Sequence, residues 1–177
     1  MIMSDYRNFD QLQTNILSVL RHGFFRPWFE LTDGQFLYGK LTYLSSFKKV
    51  CVIETAQGEW IIKRKGFMSR TLFIQQPEDV NIGTLIPETW NRNVGLNMND
   101  GFEAMYTNKT IFSRTNTLIS NQYGDILDIK AALWSWKKPF IVTIDLNLQK
   151  DIPALPLLTM LGVSLILWKQ SQAAAAH

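Results

Sequence analysis

Cysteine is nearly missing from this sequence: Cys51 is the only one in 177 residues. No intrachain disulfide can form, so the fold must rest on its core, and a reducing compartment is the natural setting. Histidine is scarce too, with two in the chain. Neither HExxH, GxSxG, a Walker loop nor CxxC occurs, which removes the common signatures of zinc proteases, hydrolases, nucleotide binders and dithiol redox proteins. The amino-terminal residues MIMSDYRNFDQLQ contain no basic segment followed by an apolar run, so no secretory leader is expected. Charge of one sign is not dominant, with 18 Lys and Arg against 15 Asp and Glu. A formal excess of +3 permits contact with anionic partners without requiring it.

What the sequence does have is one long uncharged stretch. Residues 152–168 read IPALPLLTMLGVSLILW, fenced by Lys150 and Asp151 before and Lys169 after. Upstream of it the sequence reads mostly as strands. Residues 1–23 are the exception: Phe9, Leu12, Ile16 and Leu20 recur at spacings of three and four, which predicts an amphipathic helix. Asn8 with Gln11 would cap its start and Gly23 its end, with His22 beside that end. From Phe24 the period becomes two. WFELTD, QFLYGKLTYL, KKVCVIETA and EWIIKRK are aromatic or β-branched runs broken by polar turns. Asp33-Gly34, Gln57-Gly58, Asp100-Gly101 and Tyr123-Gly124 suit tight hairpins.

A second junction recurs, in which apolar residues are followed by Ser, a short polar or basic turn and a further apolar run. Ser45, Ser69, Ser113 and Ser135 mark four copies, Asn91 a fifth, and residues 24–29 (FFRPWF) an earlier one. The period of roughly 20–24 residues implies six two-strand units and about twelve strands. An open sheet of that size would leave two edges; closure into an antiparallel barrel removes them but leaves an interior too wide for strand side chains to fill. A helix apolar on every side, near residues 154–169, would fill it. The expected fold is mainly β, an α+β chain with a barrel over residues 24–170 enclosing a carboxy-terminal helix. The amphipathic helix of residues 1–23 would pack on the barrel, and residues 171–177 are expected to form a tail.

With these patterns the chain resembles the tubby-like superfamily, whose twelve-stranded barrel encloses a hydrophobic carboxy-terminal helix. It is most similar to the LURP-one-related proteins and, more distantly, to the phospholipid scramblases. The residues that carry the resemblance are Phe29-Glu30-Leu31-Thr32-Asp33-Gly34 with Gly39-Lys40, the hairpins at Phe112-Ser113 and Trp134-Ser135-Trp136, and the late helix. It covers roughly residues 24–169 and implies a fold, not an activity. Tubby itself binds phosphoinositides, but the resemblance carries its lysine–arginine ligand pair onto no particular residues here.

A membrane span competes with the buried helix for residues 152–168. About twenty apolar residues are typical of a span, and Pro153 and Pro156 shorten the helix further, which favours burial inside the barrel. As metal ligands, Asp145, Asn147 and Asp151 are weak candidates: their alternation starts like a calcium loop, but Lys150 stands where Gly belongs and Pro156 where Glu does. No metal or cofactor is expected. Cys51, within an apolar strand, reads as a small hydrophobe, and a Cys51–His22 dyad lacks an activating geometry. No enzymatic activity is expected.

The basic residues remain. Lys48, Lys49, Lys63, Arg64, Lys65, Arg70, Lys137 and Lys138 fall at or near equivalent turns of the repeats, and like turns of a meander share one rim. Such a rim would attract anionic phospholipid headgroups; charged hairpin ends also simply keep sheets soluble. The expectation is a monomeric, cytoplasmic binding or scaffolding module, peripheral on anionic membrane, with no nucleic-acid partner. Two alternatives are a scramblase-like protein embedded by its carboxy-terminal helix and a carrier of a small apolar ligand inside the barrel.

Overall fold

The computed structural model describes residues 6–44, 50–66, 68–88, 92–109, 113–132, 135–152 and 154–175. Twelve strands form one closed antiparallel barrel. They are β1 (Ile16–His22), β2 (Trp28–Thr32), β3 (Leu37–Tyr43), β4 (Val50–Thr55), β5 (Gly58–Arg64) and β6 (Leu72–Gln75). The second half continues with β7 (Asn81–Pro87), β8 (Val94–Met98), β9 (Glu103–Thr107), β10 (Thr115–Ser120), β11 (Gly124–Ala131) and β12 (Phe140–Ile144), followed by a helix α1 (Leu155–Ala175). Each strand pairs with its chain neighbours, and β1 closes the ring against β12 through Ile16↔Thr143 to Val19↔Phe140. Closure leaves no unpaired edge.

Alternation sets the interior. Leu17 and Val19, Phe29 and Leu31, Trp60 and Ile62, Val94 and Leu96 all point inward and are buried. Helix α1 occupies the space between them. Leu157, Leu158, Met160, Leu161 and Val163 are buried on every side of its axis. It touches β3 and β4 on one wall and β10 and β11 on the opposite one. At 1.5 Å per residue, its 21 residues span roughly 30 Å. Tyr106, fully buried on β9, donates from its hydroxyl to the Leu158 carbonyl at 2.5 Å. Gly162 allows the closest approach: a Cβ there would meet Ile129 Cδ1 and stand 2.9 Å from Tyr106 Cε1. No helix among the described residues is long and apolar enough to cross a membrane, which says nothing about strands.

The amino-terminal helix expected over residues 1–23 is not what the described residues form. A 3-10 turn at Phe9–Gln11 is followed by β1. Leu12, Ile16 and Leu20 fit a helical spacing, but Leu17 and Val19 are the inward pair, and Ile16 is exposed. Tertiary pairing decides the conformation: β1 hydrogen-bonds to β2 and β12 at once, and the ring does not close without it. His22 accordingly ends a strand, stacked on Trp28 with its Nε2 2.8 Å from Glu30 Oε2, and caps no helix. The barrel thus begins at Ile16, ahead of the expected start at residue 24. The helix also runs on through residues 171–175, expected as tail, because alanines favour helix and nothing there stops it.

The six repeated junctions are the connections β1–β2, β3–β4, β5–β6, β7–β8, β9–β10 and β11–β12. Antiparallel order puts alternate connections at the same end, so all six lie on one rim, here called the junction rim. The tight turns lie on the other. There, Asp33 pins the β2–β3 hairpin: its Oδ1 accepts from the backbone N–H of Gln35 and of Phe36, each at 2.8 Å, and its Oδ2 from the Tyr38 hydroxyl at 2.7 Å. Gly34 supplies the positive φ of 98°. Burial alone would raise the Asp33 carboxyl; hydrogen bonds from Tyr38, Phe36 and Gln35 outweigh it and hold it below the ordinary value.

Gly162→Leu inserts a side chain where Tyr106 and Ile129 already stand and lowers stability by about 1–3 kcal/mol in urea unfolding; an unchanged midpoint contradicts the buried helix. The Asp33 contribution is fully present above about pH 4 and is lost as pH falls through its lower folded-state value. Asp33→Asn therefore flattens the acid limb of the stability curve, and an identical pH slope in the variant contradicts the hydrogen-bonded turn.

Candidate anion-binding rim

The two rims differ in charge. By sequence, the six junction connections hold ten Lys or Arg residues and one acid, Glu88. The opposite turns, with the stretch from β12 to α1, hold six Asp or Glu residues and one cation, Lys150. Segments also cover the acidic end. Arg7 donates its N–H to the Leu37 carbonyl at 2.8 Å and stacks over Phe36, and Phe9 packs edge-on against Tyr38. The junction rim is where α1 emerges.

Around that exit lies a cavity of about 500 Å³ lined by Arg64, Arg70, Arg92, Asn93, Lys169 and Glu88, among others. Arg64 ends β5 with its guanidinium 5.4 Å from the Trp168 ring centroid. Lys169 donates to the Arg92 carbonyl at 2.6 Å. Burial, then the charge of Arg92, holds the Lys169 ammonium below its ordinary value. Glu88 accepts from Asn93 Nδ2 at 3.3 Å, and Asn93 in turn accepts from the Thr107 hydroxyl at 2.6 Å. A bound anion would relieve the repulsion between Lys169 and Arg92, which is the chemistry this mouth offers.

Of the residues singled out from sequence, Arg64 and Arg70 meet at this cavity. Lys65 opens the β5–β6 connection, its N–H bonded to the Thr71 carbonyl at 2.9 Å. Lys137 and Lys138 are exposed in the β11–β12 connection, where the Ser135 hydroxyl accepts from the Lys138 N–H at 3.0 Å. Lys63 does not join them: it stands on the outer wall of β5, ion-paired with Asp79 at 3.0 Å. Strand alternation separates it from Arg64, which adjacency in sequence had grouped with it. Lys48 and Lys49 lie outside the described residues. Arg92 and Lys169 were missed as site residues. Their signals were present, since Arg92 sits in the fifth, degenerate junction and Lys169 follows the uncharged stretch.

Other candidate chemistry is occupied. Asp145 Oδ1 accepts from the backbone N–H and Nδ2 of Asn147, at 2.9 and 3.0 Å, and so shapes a 3-10 turn. The Asp151 carbonyl accepts from the Tyr123 hydroxyl at 3.5 Å. No group of three or more His, Cys, Asp or Glu side chains arranged to hold a metal occurs among the described residues. Cys51 points inward from β4 and is buried; burial pushes its thiol up to about 12, against a smaller lowering by the Ser164 side chain. The gap it lines with Tyr43, Ile62, Leu72, Ser164 and Leu165 is about 20 Å³, room for one water and too small for an apolar cargo.

No protein-family model, curated protein or solved structure matches the chain.

The burial of Cys51 is directly checkable. A bulky aromatic disulfide reagent leaves the native protein unmodified in mildly alkaline buffer and titrates one thiol after denaturation; rapid native labelling contradicts the inward placement.

Proposed function

We propose that this protein is a non-enzymatic binding module of tubby-like, LURP-one-related type that docks its junction rim on anionic phospholipid at a cytoplasmic membrane surface. The observation that carries this reading is the separation of charge between the two ends of the barrel. By sequence the junction connections carry ten cations and one acid. Two of the cations, Lys48 and Lys49, lie outside the described residues, and a third, Lys109, is ion-paired with Asp125. The opposite turns and the stretch before α1 carry six acids and one cation, which makes an end-on electrostatic dipole. A dipole of that kind orients the barrel as well as attracting it. Each Lys or Arg near an anionic leaflet contributes about 1 kcal/mol, within roughly a Debye length of the surface. Lys65, Arg70, Lys137 and Lys138 stand on the connections themselves, and Arg64, Arg92 and Lys169 surround the mouth.

The scramblase-like alternative uses α1 as an anchor, and the burial of α1 against opposite barrel walls weighs against it. The barrel-carrier alternative needs a space beside α1; the packing is tight at Gly162 and Cys51, which weighs against it. The larger cavities that α1 lines lie beside Leu157 and Leu158 (about 310 Å³) and beside Ile166 and Lys169 (about 720 Å³).

Co-sedimentation with phosphatidylserine-containing vesicles tests the proposal. Binding is expected at low salt and weakens as salt rises. Replacing Lys137 and Lys138 together by Gln lowers affinity about thirtyfold, from about 1 kcal/mol per charge. Replacing Lys150, on the acidic rim, leaves it within about twofold, since that end faces away from the leaflet. A chain that stays in the supernatant at low salt overturns the reading.

A further inference from the structure

The junction rim carries more than charge. Among the exposed large apolar side chains are Phe24 at 72%, Phe25 at 92%, Leu44 at 63%, Met68 at 91% and Trp136 at 58% of full accessibility. All five sit on or beside junction connections: β1–β2, β3–β4, β5–β6 and β11–β12. Because β1 closes on β12, these four connections are consecutive around the ring and form one arc. By sequence the same arc holds seven Lys or Arg residues and no acid.

The centre of the arc is preorganised. Phe24 and Phe25 pack edge to face with centroids 5.1 Å apart, and Phe24 reaches Trp136 across the barrel seam at 6.0 Å. The Arg21 guanidinium lies 3.6 Å from the Trp136 ring centroid, and the Arg21 N–H donates to the Lys137 carbonyl at 2.9 Å. Two connections are thereby tied into one aromatic tip with cations at its base. Exposed phenylalanines at a turn cost solvation without serving the core, and patches of this kind mark contact surfaces.

We infer that this arc inserts: Phe24, Phe25, Met68, Leu44 and Trp136 enter the headgroup and upper acyl region of an anionic bilayer while the neighbouring cations hold lipid phosphates. Charge complementarity selects the membrane over a protein partner. The apolar centre of a protein interface is depleted of charge, whereas here, by sequence, every connection of the arc carries Lys or Arg as well as its apolar tips. Aromatic rings with adjacent cations suit the interface between water and hydrocarbon. The barrel then stands end-on, with its acidic rim in water. This inference rests on the membrane reading above and adds to it an apolar contribution that salt does not screen.

The test places spin labels on Phe25→Cys, Met68→Cys and, on the acidic rim, Asp100→Cys, the native Cys51 being buried. Vesicles of phosphatidylserine and phosphatidylcholine are added, and collision with oxygen is compared with collision with a water-soluble nickel complex. On binding, labels at 25 and 68 gain oxygen and lose nickel contact several-fold, and the label at 100 is unchanged. The double variant Phe24→Ser, Phe25→Ser loses about tenfold or more in vesicle affinity, and the loss persists at about 1 M salt. Sedimentation with vesicles while labels 25 and 68 stay open to nickel overturns insertion and leaves the charge-only reading standing. Absence of sedimentation at low salt overturns both. Burial of the label at 100 overturns the orientation, and a dimer dissolved by the double variant, without vesicle binding, makes the arc a self-interface instead.

Discussion

A closed sheet of twelve strands has to be filled, and α1 fills it. Strand side chains alone cannot reach across a ring of that width, so the barrel holds its shape only with a rod inside. That rod must be apolar on every face, and from Leu155 to Leu165 every residue is buried. The fit is tightest where Gly162 passes Tyr106 and Ile129. The helix and the inward strand residues bury one another in a single apolar core, and removing that surface from water stabilises the fold.

The functional geometry follows from that constraint. With the ring closed and the meander unbroken, connections alternate between ends, so every second one shares a rim. A repeat that places Lys, Arg and aromatic residues in its longer connection therefore places them on one surface. The helix enters from the acidic end and leaves at the basic one, bringing Lys169 to Arg92 as it does so. The acidic end is covered by residues around Arg7 and Phe9 and by the stretch before α1; at the basic end the described residues Phe24, Phe25, Met68, Trp136, Lys137 and Lys138 are exposed.

Much of this architecture was legible in the sequence, and the reasons are particular. The junction spacing counted the units correctly because the hairpin repeat is a local signal, and residues 152–168 announced the filling helix by having no polar face. The first strand was misread because Leu12, Ile16 and Leu20 satisfy a helical period while only Leu17 and Val19 satisfy the strand one; ring closure, a non-local demand, decides between them. That shifted the frame by one strand, so residues 24–29 contain a turn and not the opening of the sheet. At the rim, neighbouring basic residues were grouped together, yet Lys63 and Arg64 face opposite sides of β5. The apolar tips escaped notice altogether, since Phe24 or Met68 looks the same in a sequence whether it fills a core or stands in water.

Amide hydrogen exchange along α1 tests the central claim most directly. If the helix is the core of the barrel, amides of residues 158–165 exchange only through global unfolding, with the same free energy and denaturant dependence as those of β3, β4 and β10. Exchange of these helical amides through a smaller opening, while the strands stay protected, would show a barrel that stands without its rod and would contradict the account.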